Sequence, residues 1–248
     1  LAVGAIANDD NGLNSGHVRI FQNSNGTWTQ IGADIDGETE GDNSGYSVSL
    51  SSDGNILAIG APFNDGNGQN SGHVRVYKNV SGTWTQIGSD IDGEDAGDYS
   101  GLSVSLSSNG SVVAVGAYYN GDNGERAGHV RVYGNMNGKW TQIASDIDGE
   151  ANGDESGCSV SLSSDGNTVA IGARYNDGKA TAAGHVRVYK LCTADLSTDT
   201  IVACDSFTWT NGITYFESNY SAKDTFENAG GCDSIVTLHL TINNSGTF

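Results

Sequence analysis

Acidic residues recur in this sequence with a spacing that suggests metal chemistry. Three loops carry four or more carboxylates within nine residues. Carboxylate oxygens on a loop that glycines allow to fold sharply are the ligands that Ca²⁺ uses. The sequence therefore predicts calcium at three loops, formed by Asp34, Asp36, Glu38 and Asp42, by Asp90, Asp92, Glu94 and Asp98, and by Asp146, Asp148, Glu150 and Asp154. Their spacing is not that of an EF-hand, so a second interpretation stays open, in which these acids cap turns and pair with a repeated arginine.

A histidine and an arginine recur together, always separated by one residue. They are His17 and Arg19, His73 and Arg75, His129 and Arg131, and His185 and Arg187. Because each repeat holds one copy, the copies should lie one structural unit apart, and we do not expect four of them to share an ion. We interpret the histidine as a repeated hydrogen-bonding position on a strand. The arginine is expected to pair with loop carboxylates or to lie over repeated aromatic rings.

A tryptophan follows a turn in three repeats, at Trp28, Trp84 and Trp140. A tryptophan at a repeated position is typical of packing between neighbouring structural units. The alternative is that these rings are exposed and stack on sugars, which would make the chain a carbohydrate-binding or carbohydrate-active protein. Both interpretations stay open from the sequence.

Known catalytic motifs are absent from the sequence. It contains no nucleophile elbow, HExxH, P-loop or dinucleotide fingerprint. The acids recur in one shared environment, whereas a catalytic pair needs two carboxylates in different environments. We therefore predict that the chain is not an enzyme.

The elements that position these residues follow a 56-residue repeat, marked by Gly16, Gly72, Gly128 and Gly184. Each complete unit contains four segments with the alternation of β-strands, and no segment has the periodicity of a helix. Small residues at Ala58 and Gly60 of the second strand predict a close approach by another backbone near a crowded axis. Four-stranded units of this length are typical of β-propeller blades. We count 14 such strands, and we predict an all-β fold with a partial β-propeller over residues 1–190.

The residues of the first two strands carry a family resemblance. The segments 46–50 and 57–62, which end in Gly60, Ala61 and Pro62, resemble the FG-GAP repeat of integrin α-subunit propellers and related bacterial surface proteins. The resemblance implies a propeller fold and a role in adhesion or ligand binding. It also implies a calcium loop between these strands, where this sequence offers one carboxylate, Asp53, and an amide at Asn109.

The composition changes at residue 191, where threonine, serine and cysteine replace the glycine rhythm. The Cys-Asp-Ser segments at Cys204 and Cys232 resemble a small Ig-like module of secreted Bacteroidetes proteins, and we predict a small β-sandwich over residues 191–248. A disulfide between these cysteines would stabilise a domain with a small core and implies an oxidising exterior. Cys192 has no evident partner, and Cys158 is expected to be a buried free thiol.

The formal charge of −19, with 11 Lys and Arg, argues against a nucleic-acid partner. The sequence contains no apolar run that would suggest membrane insertion. Because residues 1–5 match the interior of a repeat, we expect the chain to be a fragment of a longer one. We predict a non-catalytic secreted or cell-surface scaffold that binds an extracellular protein or glycan and is stabilised by calcium. The alternatives are a carbohydrate-binding or carbohydrate-active propeller and a purely structural spacer.

Overall fold

A computed structural model describes residues 1–191, 195–227 and 233–244 of the chain. The described residues form strands and turns without any helix, so the predicted all-β fold is confirmed. Within this described part, no helix is long and apolar enough to cross a bilayer. The chain divides into two compact units, Leu1–Leu191 and Cys192–Phe248.

The first unit contains four successive antiparallel sheets, which we call blades 1 to 4. Blade 1 has β1 (Ala2–Ala5), β2 (His17–Ser24), β3 (Thr27–Gln30) and β4 (Ile35–Asp36). Blade 2 has β5 (Ser47–Leu50), β6 (Ile56–Ala61), β7 (His73–Val80), β8 (Thr83–Gln86) and β9 (Ile91–Asp92). Blade 3 has β10 (Ser103–Leu106), β11 (Val112–Ala117), β12 (His129–Met136), β13 (Lys139–Gln142) and β14 (Ile147–Asp148). Blade 4 has β15 (Ser156–Leu162), β16 (Thr168–Ala173) and β17 (His185–Lys190).

Each complete blade contains one more strand than the sequence predicts. In blade 2 the order is β5-β6-β7-β8, and the two-residue strand β9 pairs with the beginning of β7. These residues are predicted to lie in an acidic loop, and that prediction is wrong. The short strand forms because Ile91 is buried beside Val74, its partner in the pair, and both belong to one apolar cluster.

The blades pack face against face, as in a β-propeller. The first strands of blades 2 to 4, β5, β10 and β15, lie beside one another in sequence order, and they are therefore innermost. The second strand of each of these blades, which is predicted to lie near the axis, lies immediately outside the first strand. The predicted close approach is confirmed at Gly60, where a Cβ atom would lie 2.0 Å from the carbonyl oxygen of Gly101 in the next blade.

The cores lie between blades. One apolar cluster joins Val74 and Val76 of blade 2 to Val113 and Val115 of blade 3, and similar clusters join the other neighbouring pairs. Burying both faces of each sheet in this way explains why the sequence needs several copies of the repeat to form a stable unit.

The second unit contains β18 (Asp195–Cys204), β19 (Phe207–Thr208), β20 (Thr214–Tyr215), β21 (Lys223–Glu227) and β22 (Asp233–Asn243). β22 lies between a parallel neighbour, β18, and an antiparallel neighbour, β21, while β19 and β20 form a hairpin. Trp209, Leu238 and Leu240 form its buried core. The assignment to an Ig-like module stays a prediction.

Candidate metal centres

Histidine and carboxylate side chains meet at three places in the first unit. In each place every residue offers one potential ligand atom, and these atoms lie within 4.8 Å of one another. The groups are Glu94, Asp122, His129 and Asp146; Glu38, His73 and Asp90; and Asp10, His17 and Asp36. We call them cluster 3, cluster 2 and cluster 1, after the blade that supplies the histidine.

The short last strand of the blade builds cluster 3. β14 pairs with the beginning of β12, so that Asp148 lies opposite His129 and Ile147 opposite Val130. Asp146 immediately precedes β14 and is therefore held next to the imidazole. The same pairing places Asp36 opposite His17 and Asp92 opposite His73.

The preceding repeat supplies the glutamate of clusters 2 and 3. After β9 the chain passes Gly93, whose amide donates a hydrogen bond to the carbonyl of Gly72 at 2.8 Å. A Cβ atom on Gly93 would lie 2.0 Å from the carbonyl oxygen of Ser71, so only glycine lets the chain pass here. Asn67 then fixes the next turn by donating to the carbonyls of Gly93 and Glu94 at 2.8 and 2.9 Å. The chain thus carries Glu94 over to the histidine of blade 3.

The imidazole of cluster 3 is buried, with 1% of its surface exposed, and faces two carboxylates. Nδ1 of His129 lies 3.8 Å from Oδ2 of Asp146 and 4.0 Å from Oε2 of Glu94. Both separations exceed hydrogen-bond length. Among the described residues, this nitrogen has no hydrogen-bond partner. The buried Nδ1 of His17 in cluster 1 is in the same condition, 3.6 Å from Asp34 and 3.7 Å from Asp10.

Burial changes the proton affinity of these groups. It lowers the pKa of His129, and the positive charge of Arg131 lowers it further. The pKa of His73 falls to about 4 for the same two reasons, burial first and then Arg75. Burial raises the pKa of Glu94, against the opposing effect of Arg131. A neutral imidazole at neutral pH presents a free lone pair on one ring nitrogen, which is the form that binds metals.

The repeated arginines lie at the edge of the clusters. Nη1 of Arg131 is 3.1 Å from Oε1 of Glu94, and its guanidinium carbon lies 5.7 Å from the ring centre of Tyr133. Arg75 contacts Glu38 and Tyr77 in the same manner. Each of these arginines therefore pairs with a loop carboxylate and also lies over an aromatic ring, and both contacts are among those predicted from the sequence.

The structure divides the twelve carboxylates predicted to bind calcium into two sets. Those at the clusters or beside a repeated histidine are Asp34, Asp36, Glu38, Asp90, Asp92, Glu94, Asp146, Asp148 and Glu150. The other set, Asp42, Asp98 and Asp154, is buried. Each member accepts a hydrogen bond from an asparagine of the next blade, as Asp154 does from Asn176 at 2.8 Å. These three support the contact between blades rather than a metal cluster, and the calcium assignment stays a prediction.

The histidines are not predicted from the sequence to be metal ligands. They are predicted to be separate copies that do not share one ion, whereas each histidine of clusters 1 to 3 meets carboxylates of its own blade and, in clusters 2 and 3, one of the preceding blade. The fixed spacing between each histidine and the following Ile-Asp pair could have indicated these clusters. That pair forms a two-residue strand, which places its aspartate opposite the histidine.

The tryptophans connect the blades. The indole of Trp84 donates to the carbonyl of Ile31 at 3.1 Å, and that of Trp140 donates to Ile87 at 2.8 Å. Trp28 is 54% exposed. These contacts favour the packing interpretation for Trp84 and Trp140 over stacking on a sugar.

The repeat is interrupted near blade 4, and this interruption is not among the features predicted from the sequence. Glu155 is buried and pairs with Arg126 and Arg174, while the equivalent position in the preceding repeat is Tyr99. Nε of Arg174 donates to Oε2 of Glu155 at 2.7 Å. All three of these residues differ in type from those at the equivalent positions of the preceding repeat, which is visible in the sequence. Only the fold shows that they meet.

The cysteines have different surroundings. Cys158 is half-buried beside a bulge in β15, and its thiol lies 3.3 Å from the carbonyl of Gly172, so the predicted full burial is corrected. Cys204 is exposed at the end of β18. Cys232 and Cys192 lie outside the described residues, so the predicted disulfide between Cys204 and Cys232 stays a prediction.

The fold and the repeated clusters define a β-propeller repeat protein. Two of its segments, residues 33–77 and 140–189, match the family model described as FG-GAP repeat, which confirms that part of the predicted resemblance. No curated protein sequence matches the chain.

Solved structures of similar fold are larger than this chain. The periplasmic gluconolactonase of Pseudomonas aeruginosa is 17% identical, with a TM-score of 0.46 over 76% of this chain and 49% of that chain. A "putative 6-phosphogluconolactonase" of Bacteroides uniformis is 12% identical, with a TM-score of 0.46 over 71% and 49%. One of Bacteroides fragilis is 20% identical, with a TM-score of 0.39 over 53% and 33%. The chain thus spans between a third and a half of the length of these proteins.

These matches correct the prediction that the chain is not an enzyme. The prediction takes the absence of known motifs from a repeated sequence as evidence against catalysis, yet the matched structures carry lactonase names. A likeness at these identities and TM-scores concerns the fold alone, and it assigns no reaction to this chain.

Proposed function

We propose that the chain is an extracellular or cell-surface binding module whose propeller repeats hold divalent cations between neighbouring blades. One observation carries the proposal: in cluster 1 and again in cluster 3, a buried histidine nitrogen that has no hydrogen-bond partner among the described residues faces carboxylates. A cation there would connect blades, because Glu94 reaches cluster 3 from blade 2. The formal charge of −19 supports the attraction of cations to this surface.

The ends of the strands give this module a binding face. Ala61 at the end of β6 pairs with His73 at the beginning of β7, so the clusters lie where second strands end. Aromatic rings lie at the same end of the sheets: Tyr46 immediately precedes the first strand β5, and Phe63 follows the second strand β6. A cation that fixes neighbouring blades there would also hold that face in one arrangement for an extracellular partner.

Thermal unfolding of the full chain tests the proposal. The protein is first freed of metal with a chelator and then measured alone and with millimolar Ca²⁺, Mg²⁺, Mn²⁺ or Zn²⁺ at constant ionic strength. We expect at least one divalent cation to raise the unfolding temperature, because binding to the folded state alone stabilises it. An unfolding temperature that none of the four ions changes, with no binding seen by calorimetry, would refute the proposal.

A second candidate function, carbohydrate binding, is favoured by a row of aromatic rings across blades 2 and 3. Tyr46 contacts Phe63 at 6.4 Å between ring centres, Phe63 contacts Tyr99 at 5.3 Å, and Tyr99 contacts Tyr119 at 5.2 Å. Tyr46 is 45% exposed. An exposed aromatic ring that half-buried rings hold in place is suited to stacking on a sugar.

Glycan-array binding by Tyr46→Ala tests this candidate. We expect the variant to lose signals that the natural chain gives, while Tyr220→Ala, which removes an exposed tyrosine of the second unit, retains them. The same signals from both variants, or no signal from the natural chain, would exclude this aromatic row as a sugar site.

A further inference from the structure

We infer that cluster 3 selects a divalent first-row transition ion such as Zn²⁺ over calcium. This inference rests on the proposed cation binding and names the class of ion. Cluster 3 offers one imidazole nitrogen with the carboxylates of Glu94, Asp122 and Asp146. Calcium takes six to eight oxygen ligands in proteins, whereas imidazole suits zinc and its first-row neighbours. A set with one nitrogen and three carboxylates therefore fits zinc or manganese better than calcium.

The geometry supports a small ion with short bonds. Zinc bonds to nitrogen and oxygen are about 2.0–2.2 Å, so two ligand atoms on one zinc lie roughly 3–4 Å apart. Nδ1 of His129 lies at 3.8 Å from Asp146 and 4.0 Å from Glu94. These separations are too long for hydrogen bonds and suit two ligands of one such ion. The nitrogen is almost fully buried, and the described residues offer it no other partner.

The second oxygen of Glu94 strengthens the assignment. Oε1 of this carboxylate pairs with Arg131 at 3.1 Å, which orients Oε2 toward His129. Metal sites depend on such outer partners, which fix the direction of a ligand. The carboxylate of Asp122 is held in a similar way, since the side-chain amide of Asn120 donates to its Oδ2 at 3.3 Å.

The repeats provide an internal series of ligand sets. Cluster 3 has four potential ligands, and cluster 2 has three because Gly66 replaces the aspartate found at Asp122. In blade 4 His185 lies 3.7 Å from Glu150, with Gly178 at that same position, and this pair is not part of a group of three among the described residues. We therefore expect cluster 3 to bind most tightly.

Calorimetric titration of the metal-free full chain with Zn²⁺, Mn²⁺ and Ca²⁺ tests the inference. The variants are Asp122→Asn, which changes an exposed ligand and leaves the core intact, and His129→Ala, which removes the nitrogen. His239→Ala, at an exposed histidine of the second unit, is the matched control. Loss of an outer partner alone costs roughly tenfold in metal affinity, so we expect each cluster variant to weaken the tightest zinc site by about tenfold or more. The control should bind as the natural chain does.

The outcomes separate the two proposals. Zinc binding that excess calcium does not displace, and that both cluster variants weaken, supports the inference. If calcium binds and competes with zinc at equal concentration, or if zinc binding survives in both variants, the ion class assigned to cluster 3 is wrong while cation binding by the module stands. If no ion binds the natural chain, both proposals fail. Circular dichroism of each variant checks its fold, and Asp122→Asn keeps the test decisive if His129→Ala does not fold.

Discussion

The indole nitrogen of Trp140 donates a hydrogen bond to the backbone carbonyl of Ile87 at 2.8 Å, and the two residues belong to neighbouring blades. Trp140 is buried in the apolar cluster between blades 2 and 3. A single side chain therefore fills the space between two sheets and satisfies a backbone group of the adjacent one. Tryptophan occupies this position in three repeats, so its surroundings in each blade decide how much it contributes to stability.

We expect Trp140→Phe to lower the free energy of unfolding by about 1–2 kcal/mol, since it removes the hydrogen bond and part of the packed ring. Trp28→Phe, at the equivalent exposed position, should change it by less than about 0.5 kcal/mol. Urea denaturation of both variants makes the comparison. Equal losses would show that the contact between blades is not the source of the stability.

The chain crossing at Gly93 gives a second prediction. Gly93→Ala places a methyl group against the carbonyl of Ser71, where only 2.0 Å is available, and the last strand of the blade must move. We expect a loss of about 3 kcal/mol or more in the free energy of unfolding, as for other severe backbone clashes. The displacement would also separate Glu94 from its cluster, so metal affinity should fall.

Gly121→Ala is the matched control for this crossing. No atom lies within 4 Å of the Cβ that it adds, and Gly121 does not have a positive φ. Its stability should equal or slightly exceed that of the natural chain. A comparable loss in both variants would contradict the proposed clash.

The repeat period was enough to predict the blades, because each 56-residue unit carries its own alternating strands and its own glycines. The close approach at Gly60 could be predicted for the same reason, since a small residue in a strand indicates a neighbouring backbone. Local patterns decide both features. They do not depend on where distant parts of the chain meet.

The clusters could be predicted only in part. The acidic character of the loops is visible in the sequence, but the pairing of Asp148 with His129 depends on a two-residue strand too short to give a pattern. The approach of Glu94 to the next blade depends on a crossing that no local signal marks. Sequence spacing also could not separate Asp98, which is buried and bonded to Asn120, from the exposed acids around it.

The hairpin at Asp53 gives a prediction about pH. A hydrogen bond from the Ser51 hydroxyl, followed by others from Asn55, lowers the pKa of Asp53 to about 2. Because the folded-state pKa lies below the unfolded value of 3.8, the stabilisation is complete above that value and is lost as the pH falls through about 2.

Asp53→Asn should therefore lose less stability than the natural chain between pH 6 and pH 2, in thermal unfolding followed by circular dichroism. The amide is tolerated here because Asn109 occupies the equivalent turn of blade 3 and accepts the same bonds from Ser107 and Ser111. Parallel pH profiles for the two proteins would contradict a linked proton at this turn.

Glu155 gives the last prediction, since it is the one buried carboxylate that pairs with two arginines in the described part of the chain. Glu155→Gln removes the charge that holds Arg126 and Arg174 together, and about half of each arginine side chain is exposed, so solvent compensates part of the loss. We expect the free energy of unfolding to fall by about 1–3 kcal/mol in low salt. Glu125→Gln, at an exposed position nearby, should change it by less than about 0.5 kcal/mol. Urea denaturation at low and high salt makes the measurement: similar midpoints for the two variants would show that the interrupted repeat does not stabilise the contact between blades 3 and 4.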